Sequence, residues 1–360
     1  MKKHYNIPIF IPHLGCPFKC IFCNQNKIAS AQGVPVVKDI IATIEQYLST
    51  IAADSQDIEV AFFGGSFTAI EPNLQKKYLQ AVQPYIKSGR IGGIRISTRP
   101  DFINQSILDF LAYYGVKSIE LGVQSFCDEV LKASGRGYSC EDVFKASHHI
   151  KSNGLKLGIQ LMVGLPSASF KQDIESARQA TNLKPDMVRI YPTLVISETP
   201  LERLYIEHKY VPLGLEEAVN TCKEMFLLFQ QKGIEVIRMG LQPSEELRTP
   251  GTVVAGPFHP SFGELVEQDV FKEQAAVAIQ KYQGQGSALT DLTLLVNKKD
   301  VSKMTGRKKC NLLYLQDIFR LNSVKVAAYP GLTRDTIALA SPIEIKPLYI
   351  LSREEFLAGR

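Results

Sequence analysis

The chain has 360 residues, 45% of them apolar, which is enough for one large α/β domain and a smaller second one. Its net charge of +5 permits a polyanionic partner and demands none. No apolar run approaches the ~20 residues that span a bilayer, and the basic start at Met1-Lys2-Lys3 leads into no apolar signal stretch, so no membrane role is expected and the expected location is cytoplasmic.

Apolar stretches of strand length alternate with longer amphipathic ones. Strands are expected at Ile7–Ile11, Ile58–Phe63, Ile94–Thr98, Ser118–Val123, Leu157–Val163 and Met187–Tyr191. Helices are expected near Val37–Leu48, Asn73–Ile86, Gln105–Tyr114, Cys140–Asn153, Phe170–Leu183 and Leu215–Lys232. The strands are β-branched and nearly continuously apolar, as parallel strands buried on both faces are. Such alternation implies a parallel sheet covered by helices. Six βα units, fewer than a closed barrel's eight, suit either an incomplete barrel or an open doubly wound sheet. After Leu241 a turn-rich connector follows, with Pro243, Pro250, Gly251, Gly256, Pro257, Pro260 and Gly263. Beyond it lie a helix (Glu264–Gln280), a strand (Leu289–Val296), a helix (Asn311–Phe319) and a strand (Val324–Ala328), the pattern of a small appended α/β domain. The expected division is residues 1–241 and 242–360.

In such sheets the reactive residues lie just after the strands, at the carboxyl edge. The unusual residues cluster there. The run Cys16-Pro17-Phe18-Lys19-Cys20-Ile21-Phe22-Cys23 follows the first strand, and Gly64-Gly65-Ser66-Phe67 follows the second. Ser97-Thr98-Arg99-Pro100-Asp101 follows the third, Gly122-Val123-Gln124-Ser125 closes the fourth, Gly164-Leu165-Pro166 follows the fifth and Tyr191-Pro192-Thr193 the sixth.

Seven cysteines, an odd number unevenly placed, argue against a disulfide framework. Cys127, Cys140, Cys222 and Cys310 read as ordinary core or surface residues. A C-x3-C-x2-C loop brings three thiolates together, and thiolates are the ligands of iron–sulfur clusters. Three of them leave one iron without a protein ligand, and an open position is what a catalytic metal site needs. Zinc is the rival reading, with His13 as a fourth ligand.

With Phe22 before its third cysteine, this loop resembles that of the radical S-adenosylmethionine (SAM) superfamily. The resemblance implies a [4Fe–4S] cluster on Cys16, Cys20 and Cys23. Its open iron would chelate SAM, and reductive cleavage would yield methionine and a 5′-deoxyadenosyl radical, with the protein orienting the cofactor and excluding water. An external electron donor of the flavodoxin or ferredoxin type is implied as a partner. Gly64-Gly65-Ser66-Phe67-Thr68 is similar to the superfamily's second-strand motif, whose backbone receives the SAM amino group, with Ser66 where many members carry an acid.

Four segments resemble the radical SAM domain of the Elongator catalytic subunit: Ser97-Thr98-Arg99-Pro100-Asp101, Glu120-Leu121-Gly122-Val123-Gln124-Ser125, Met162-Val163-Gly164-Leu165-Pro166, and Pro185-Asp186 through Ile190-Tyr191-Pro192-Thr193-Leu194. Glu216-Glu217-Ala218 fits as well, so the likeness runs over roughly residues 7–225. It implies a partial (β/α)6 barrel with a small C-terminal α/β domain, and it puts Ser97 and Thr98 beside the cofactor. Oxygen-independent coproporphyrinogen oxidase shares the Gly-Val-Gln and Gly-Leu-Pro elements, which implies SAM contacts at Gln124, Arg136 and Gln160. That oxidase has an acid at the last position and an additional cysteine where this chain has Gln25. Taken without the family, Gln124 reads as a turn cap, Arg136 in Gly135-Arg136-Gly137 as a solvated turn residue, and Arg99 as the partner of Asp101. The Elongator subunit's acetyltransferase domain and basic N-terminal extension are not expected here, and its cysteine loop is longer.

Lys298, Lys299, Lys303, Arg307, Lys308 and Lys309 crowd together with only Asp300 opposing. Such a patch neutralises phosphates or simply forms a solvated face, and no aromatic residue interleaves it for base stacking. The function expected from the sequence is a radical SAM enzyme acting on an unidentified substrate, with an RNA base placed before a small molecule. The alternatives are a non-catalytic metal-binding module on the same scaffold, or a haem carrier related to coproporphyrinogen oxidase using His259 as an axial ligand.

Overall fold

Strand β1 (Tyr5–Ile11) shows how the main sheet is built. Its residues Ile7, Ile9 and Ile11 are buried, while Asn6, Pro8 and Phe10 line an internal cavity. The period of two sends the two sets to opposite faces. The computed structural model describes residues 4–16, 20–28, 33–52, 55, 57–286 and 289–360, so Pro17, Phe18 and Lys19 of the cysteine motif lie outside the described residues.

The chain forms two units, residues 1–214 with 234–258, and residues 215–233 with 259–360. In the first, β1 is followed by β2 (Ile58–Gly64), β3 (Gly93–Thr98), β4 (Val116–Gln124), β5 (Lys156–Val163), β6 (Met187–Pro192), the short β7 (Val195–Ile196), β8 (Glu235–Met239) and β9 (Val253–Ala255). Seven of these make one parallel sheet in the order β1-β2-β3-β4-β5-β6-β8. Phe10 and Arg238, from the two edge strands, line the same cavity, so the sheet curves into a partial barrel and is not an open doubly wound sheet.

The helices run Val37–Thr50, Pro72–Lys87, Gln105–Tyr113, Cys140–Ser152 and Phe170–Asn182, close to the expected spans. Their starts are set locally. Asn104 caps one, and Ser139 and Ser169 begin capping boxes with Asp142 and Gln172. The six expected strands are present, and β8 adds a seventh. Its sequence Glu235-Val236-Ile237-Arg238-Met239 is short and broken by charge, so it gives little apolar-run signal. The turn-rich stretch after Leu241 contains the helix Glu245–Arg248 and β9, which pairs antiparallel with β7.

The concave face carries charge. Arg95 bonds Glu59 through Nε at 2.8 Å and Glu120 through Nη1 at 3.1 Å. Arg189 bonds Glu120 through Nε at 2.6 Å, and Ser118 donates to Glu59 at 2.9 Å. Arg95, Glu59 and Glu120 are all buried. Such a network is stable only when every charge is partnered, and losing one partner costs about 3–5 kcal/mol.

In the second unit β10 (Asp291–Val296) is central. It pairs parallel with β11 (Ser323–Ala328) and antiparallel with β12 (Ile337–Ala340), which pairs with β13 (Tyr349–Leu351). The helices Leu215–Gln231 and Phe262–Gln283 belong to this unit. The buried Lys223 ties them, reaching Asp269 at 3.1 Å and Glu273 at 2.8 Å.

Candidate functional site

The cysteine loop is held by the loop after β2. Gly65 N donates to Ile11 O at 2.7 Å, and Ser66 N to Leu14 O at 3.0 Å. A Cβ on Gly65 would overlap the Leu14 carbonyl oxygen, and Gly64 takes φ +109°, where a Cβ would lie 2.6 Å from Ile11 O. Both glycines are therefore required by the approach of the protein's own cysteine loop. The Gly64 carbonyl accepts from Gln25 Nε2 at 2.5 Å. Gln25 N donates to His13 Nε2 at 2.9 Å, and its side-chain oxygen accepts from His13 N. Gln25 thus staples both ends of the loop to β2.

The three motif cysteines differ in setting. Cys20 is buried, Cys23 half-buried and Cys16 exposed at the loop surface. Burial pushes the Cys23 thiol up to about 12, with the Cys20 and Cys16 charges adding to it. Cys16 is also raised, by desolvation first and then by Cys20, while Ser66 opposes. Burial and the neighbouring sulfurs thus both disfavour ionisation of Cys16 and Cys23. Among the described residues, no three His, Cys, Asp or Glu side chains already converge as a metal-binding group.

Arg136 is the charge nearest these sulfurs. It is buried, against the expectation for a solvated turn. Nη1 donates to Cys20 Sγ at 2.7 Å, Nη2 to Gly122 O at 2.6 Å and Nε to Tyr138 OH at 2.8 Å. Burial works against its charge, but Tyr138 and Cys20 outweigh that and raise its pKa. Among the described residues it has no carboxylate partner. Arg99 donates to the Arg136 carbonyl at 2.5 Å and grips Asp101 through two bonds of 2.9 and 2.8 Å. Both guanidinium carbons lie 5.0 Å from the Tyr138 ring centroid.

Gln124 has φ +69° at a bulge in the β4–β5 ladder. That conformation is uncommon for a residue with a side chain, and such outliers concentrate where the surroundings over-determine them. Gln160 Nε2 donates to Gln124 Oε1 at 3.3 Å, so the fold brings these two residues together. Ser97 and Thr98 point apart. Ser97 lines the cavity, whereas Thr98 is buried with its hydroxyl 2.6 Å from that of Thr68.

The cavity has a volume of about 1620 Å³. Phe22, Cys23, Gly64, Ser97 and Gln160 line it together with Arg189, Tyr191 and Arg238. Beside it, Val130, Met162 and Leu165 are packed by Phe22, Cys127 and Tyr191. Behind them the Gly164-Leu165-Pro166 turn is clamped. Gly164 N donates to Asp173 at 3.0 Å, and Gly164 O accepts from Tyr210 OH at 2.6 Å. Burial pushes the Asp173 carboxyl up to about 7.

Residues 10–180 match the model of the Radical SAM superfamily, and residues 185–272 match that of the Radical_SAM C-terminal domain. The chain belongs to the radical SAM superfamily. An uncharacterized protein of Methanocaldococcus jannaschii is 30% identical over 233 residues, which is 61% of this chain and 70% of that one. A tRNA uridine(34) acetyltransferase of Methanocaldococcus infernus is 31% identical over 244 residues, 57% of this chain and 46% of the relative. The human Elongator complex protein 3 is 34% identical over 139 residues, 38% of this chain and 25% of the relative. Among solved structures, the archaeal Methanocaldococcus infernus Elp3 superposes with a TM-score of 0.58 at 24% identity, over 76% of this chain and 64% of that one. The chain spans about half the length of the first curated relatives it matches.

Two residues near the cavity and the cysteine loop are not anticipated from the sequence. Tyr138 follows Arg136 by two positions, and its OH donates to Gly122 O at 2.5 Å. Arg238 comes from the unexpected β8. Neither belongs to a strand-end motif, although an arginine flanked by apolar residues in a strand-length stretch is a readable signal of an inward-facing charge. The four scattered cysteines run from buried (Cys222) to exposed (Cys310). His259 lies in the second unit with both ring nitrogens engaged, Nδ1 by Ser261 N at 3.1 Å and Nε2 by Arg307 at 3.2 Å.

Gly65→Ala is expected to cost about 1–3 kcal/mol, the range for overpacking, and to lower the denaturant midpoint. An unchanged midpoint would contradict the Leu14 contact as the reason for this glycine.

Proposed function

We propose that Cys16, Cys20 and Cys23 hold a [4Fe–4S] cluster at which SAM is reductively cleaved to act on an RNA base. The observation that carries the reading is the buried Arg136 guanidinium on Cys20 Sγ. A buried cation without a carboxylate needs an anionic partner, and a thiolate-ligated cluster is one. The donor set fits: thiolates are the ligands an iron–sulfur cluster uses, and nearby sulfur charge contributes to raising the Cys16 and Cys23 thiols. Zinc with His13 fits less well, because His13 Nε2 accepts from Gln25 N. Haem on His259 fits less well too, because neither ring nitrogen is open.

A cluster held by Cys16, Cys20 and Cys23 would supply the chemistry of reductive SAM cleavage, with electrons from an external flavodoxin- or ferredoxin-type donor. The residues assigned to SAM are the Gly64-Gly65 backbone, Ser97, Gln124 and Gln160. Thr98 serves the fold through Thr68. Arg136 keeps Cys20 oriented and favours the more negative state of whatever the sulfur ligates. Phe22 and Met162 exclude water from one side of the cavity.

The relatives' name, tRNA uridine(34) acetyltransferase, supports an RNA base as substrate. Acetyl transfer is not carried over, since the matched residues cover 46% of that relative. The second unit supports RNA contact. Lys298, Lys299, Arg307, Lys308 and Lys309 are exposed, and Asp300, the one acid among them in sequence, is buried and bonded to Arg334 at 2.6 Å. Among the described residues, Lys303 is the one of the six in an ion pair, with Glu267.

Anaerobically reconstituted protein should form 5′-deoxyadenosine from SAM with dithionite, and Cys20→Ala should form none. Product from the variant at the wild-type level would refute the cluster assignment. Charge reversal of the five exposed residues should weaken tRNA binding and flatten the plot of log affinity against log salt by about 0.7–0.9 for each phosphate no longer neutralised. Equal slopes would remove the patch from the reading.

A further inference from the structure

The inner face of the sheet carries one transverse row of paired residues. Gly122 on β4 pairs with Gln160 on β5, Gln160 with Arg189 on β6, and Arg189 with Arg238 on β8. Paired residues on neighbouring strands point to the same face. Gln160, Arg189 and Arg238 all line the cavity. The row that begins at the residues assigned to SAM therefore ends in two guanidinium groups side by side.

Like charges directly across a ladder are destabilising, and only one of this pair is compensated. Glu59 and Glu120 balance Arg95 and Arg189. Arg238 is left over. Among the described residues it makes no salt bridge. Its Nε donates to Gly240 O at 3.1 Å and its Nη2 to the Gln242 side-chain oxygen, while Nη1 has no hydrogen bond to the described residues. Burial pulls the Arg238 pKa down, Tyr191 opposes this, and Arg189 lowers it further. Among the described residues, Arg189 Nη1 reaches only Tyr191 OH, at 3.5 Å. Of the other acids lining the cavity, Asp57, Asp186 and Glu235 sit at the amino ends of their strands and Asp39 lies on the helix Val37–Thr50; none of them pairs with Arg238 among the described residues.

We propose that Arg189 and Arg238, with Tyr191, form a binding site for a phosphate group of the substrate inside the cavity. Two guanidiniums and a phenol offer more donors than the two oxygens of a carboxylate accept, and Arg forks match phosphate geometry. Arg238 supplies the uncompensated charge, and Arg189, fixed by Glu120, sets the direction. This deepens the reading of a nucleotide-containing substrate and rests on it for the base, but not for the anion. The phosphate would come from a free nucleotide or from an RNA strand.

The test is calorimetric titration of the full chain, at low salt and without SAM, with uridine, uridine 5′-monophosphate and a uridine-centred RNA trinucleotide. At least one phosphate-bearing probe should bind at least tenfold more tightly than uridine, and Arg238→Gln should remove that advantage while Arg238→Lys restores part of it. Equal affinity for uridine and both phosphate-bearing probes, or an undiminished advantage in Arg238→Gln, overturns the site. Binding of the monophosphate without the trinucleotide keeps the site and assigns it to a free nucleotide, against the RNA reading. Binding of the trinucleotide assigns it to RNA. A second measurement needs no variant: phenylglyoxal labelling of Arg238 in the wild-type chain, read by peptide mass, should be slowed by the phosphate-bearing probe that binds, and unchanged labelling contradicts the site.

Discussion

Arg136 carries a positive charge at a buried position where its non-backbone partners are a phenol and a sulfur. Charge-assisted hydrogen bonds of this kind contribute roughly 1.5–3 kcal/mol each, and an unpaired buried charge costs more than that. The cysteine loop, the Gly122 carbonyl and Tyr138 converge on this one guanidinium. Arg99 buttresses it from behind through the Arg136 carbonyl, and Asp101 holds Arg99. The placement of the Cys20 thiol thus depends on a cation supplied by the segment between β4 and β5. That dependence links the first strand's loop to the middle of the sheet.

The incomplete barrel turns that local arrangement into a site. Closed barrels fill their interior with apolar layers. Here the sheet stops at seven strands, and the inner face keeps paired charge in one part and open volume in the rest. Glu59, Arg95, Glu120 and Arg189 satisfy one another, which permits ionic residues inside the curve. Along the register, chemistry changes by strand: thiols after β1, glycine backbone after β2, a hydroxyl on β3, amides on β4 and β5, guanidiniums on β6 and β8. One curved face thereby presents several kinds of chemical group in strand order.

Much of this is legible in the sequence, for physical reasons. Parallel strands buried on both faces are apolar runs, so β1 to β6 stand out. Functional residues at carboxyl edges are ordered by the fold, so the cysteines, Gly64-Gly65 and Gln124 can be read in turn. What stays hidden depends on tertiary approach. Arg136 between two glycines looks solvated until the cysteine loop closes over it. Gly64 and Gly65 look like ligand-facing glycines, yet the first contacts they make room for are Ile11 and Leu14 of the same chain. Ser97 and Thr98 are adjacent, and only the strand's alternation assigns one to the cavity and the other to Thr68. Strand β8 escapes the apolar-run reading because two of its five residues are charged, and one of those charges is the arginine that reaches the cavity.

The account stands on the claim that three cysteines leave one iron of a cluster open to SAM. Mössbauer spectroscopy of protein anaerobically reconstituted with iron-57, with and without SAM, tests it most directly. The account predicts a [4Fe–4S] spectrum in which SAM shifts one iron site and leaves the others as they were. A spectrum unaltered by SAM, or iron that never assembles into a cluster while Cys16, Cys20 and Cys23 are intact, would contradict it.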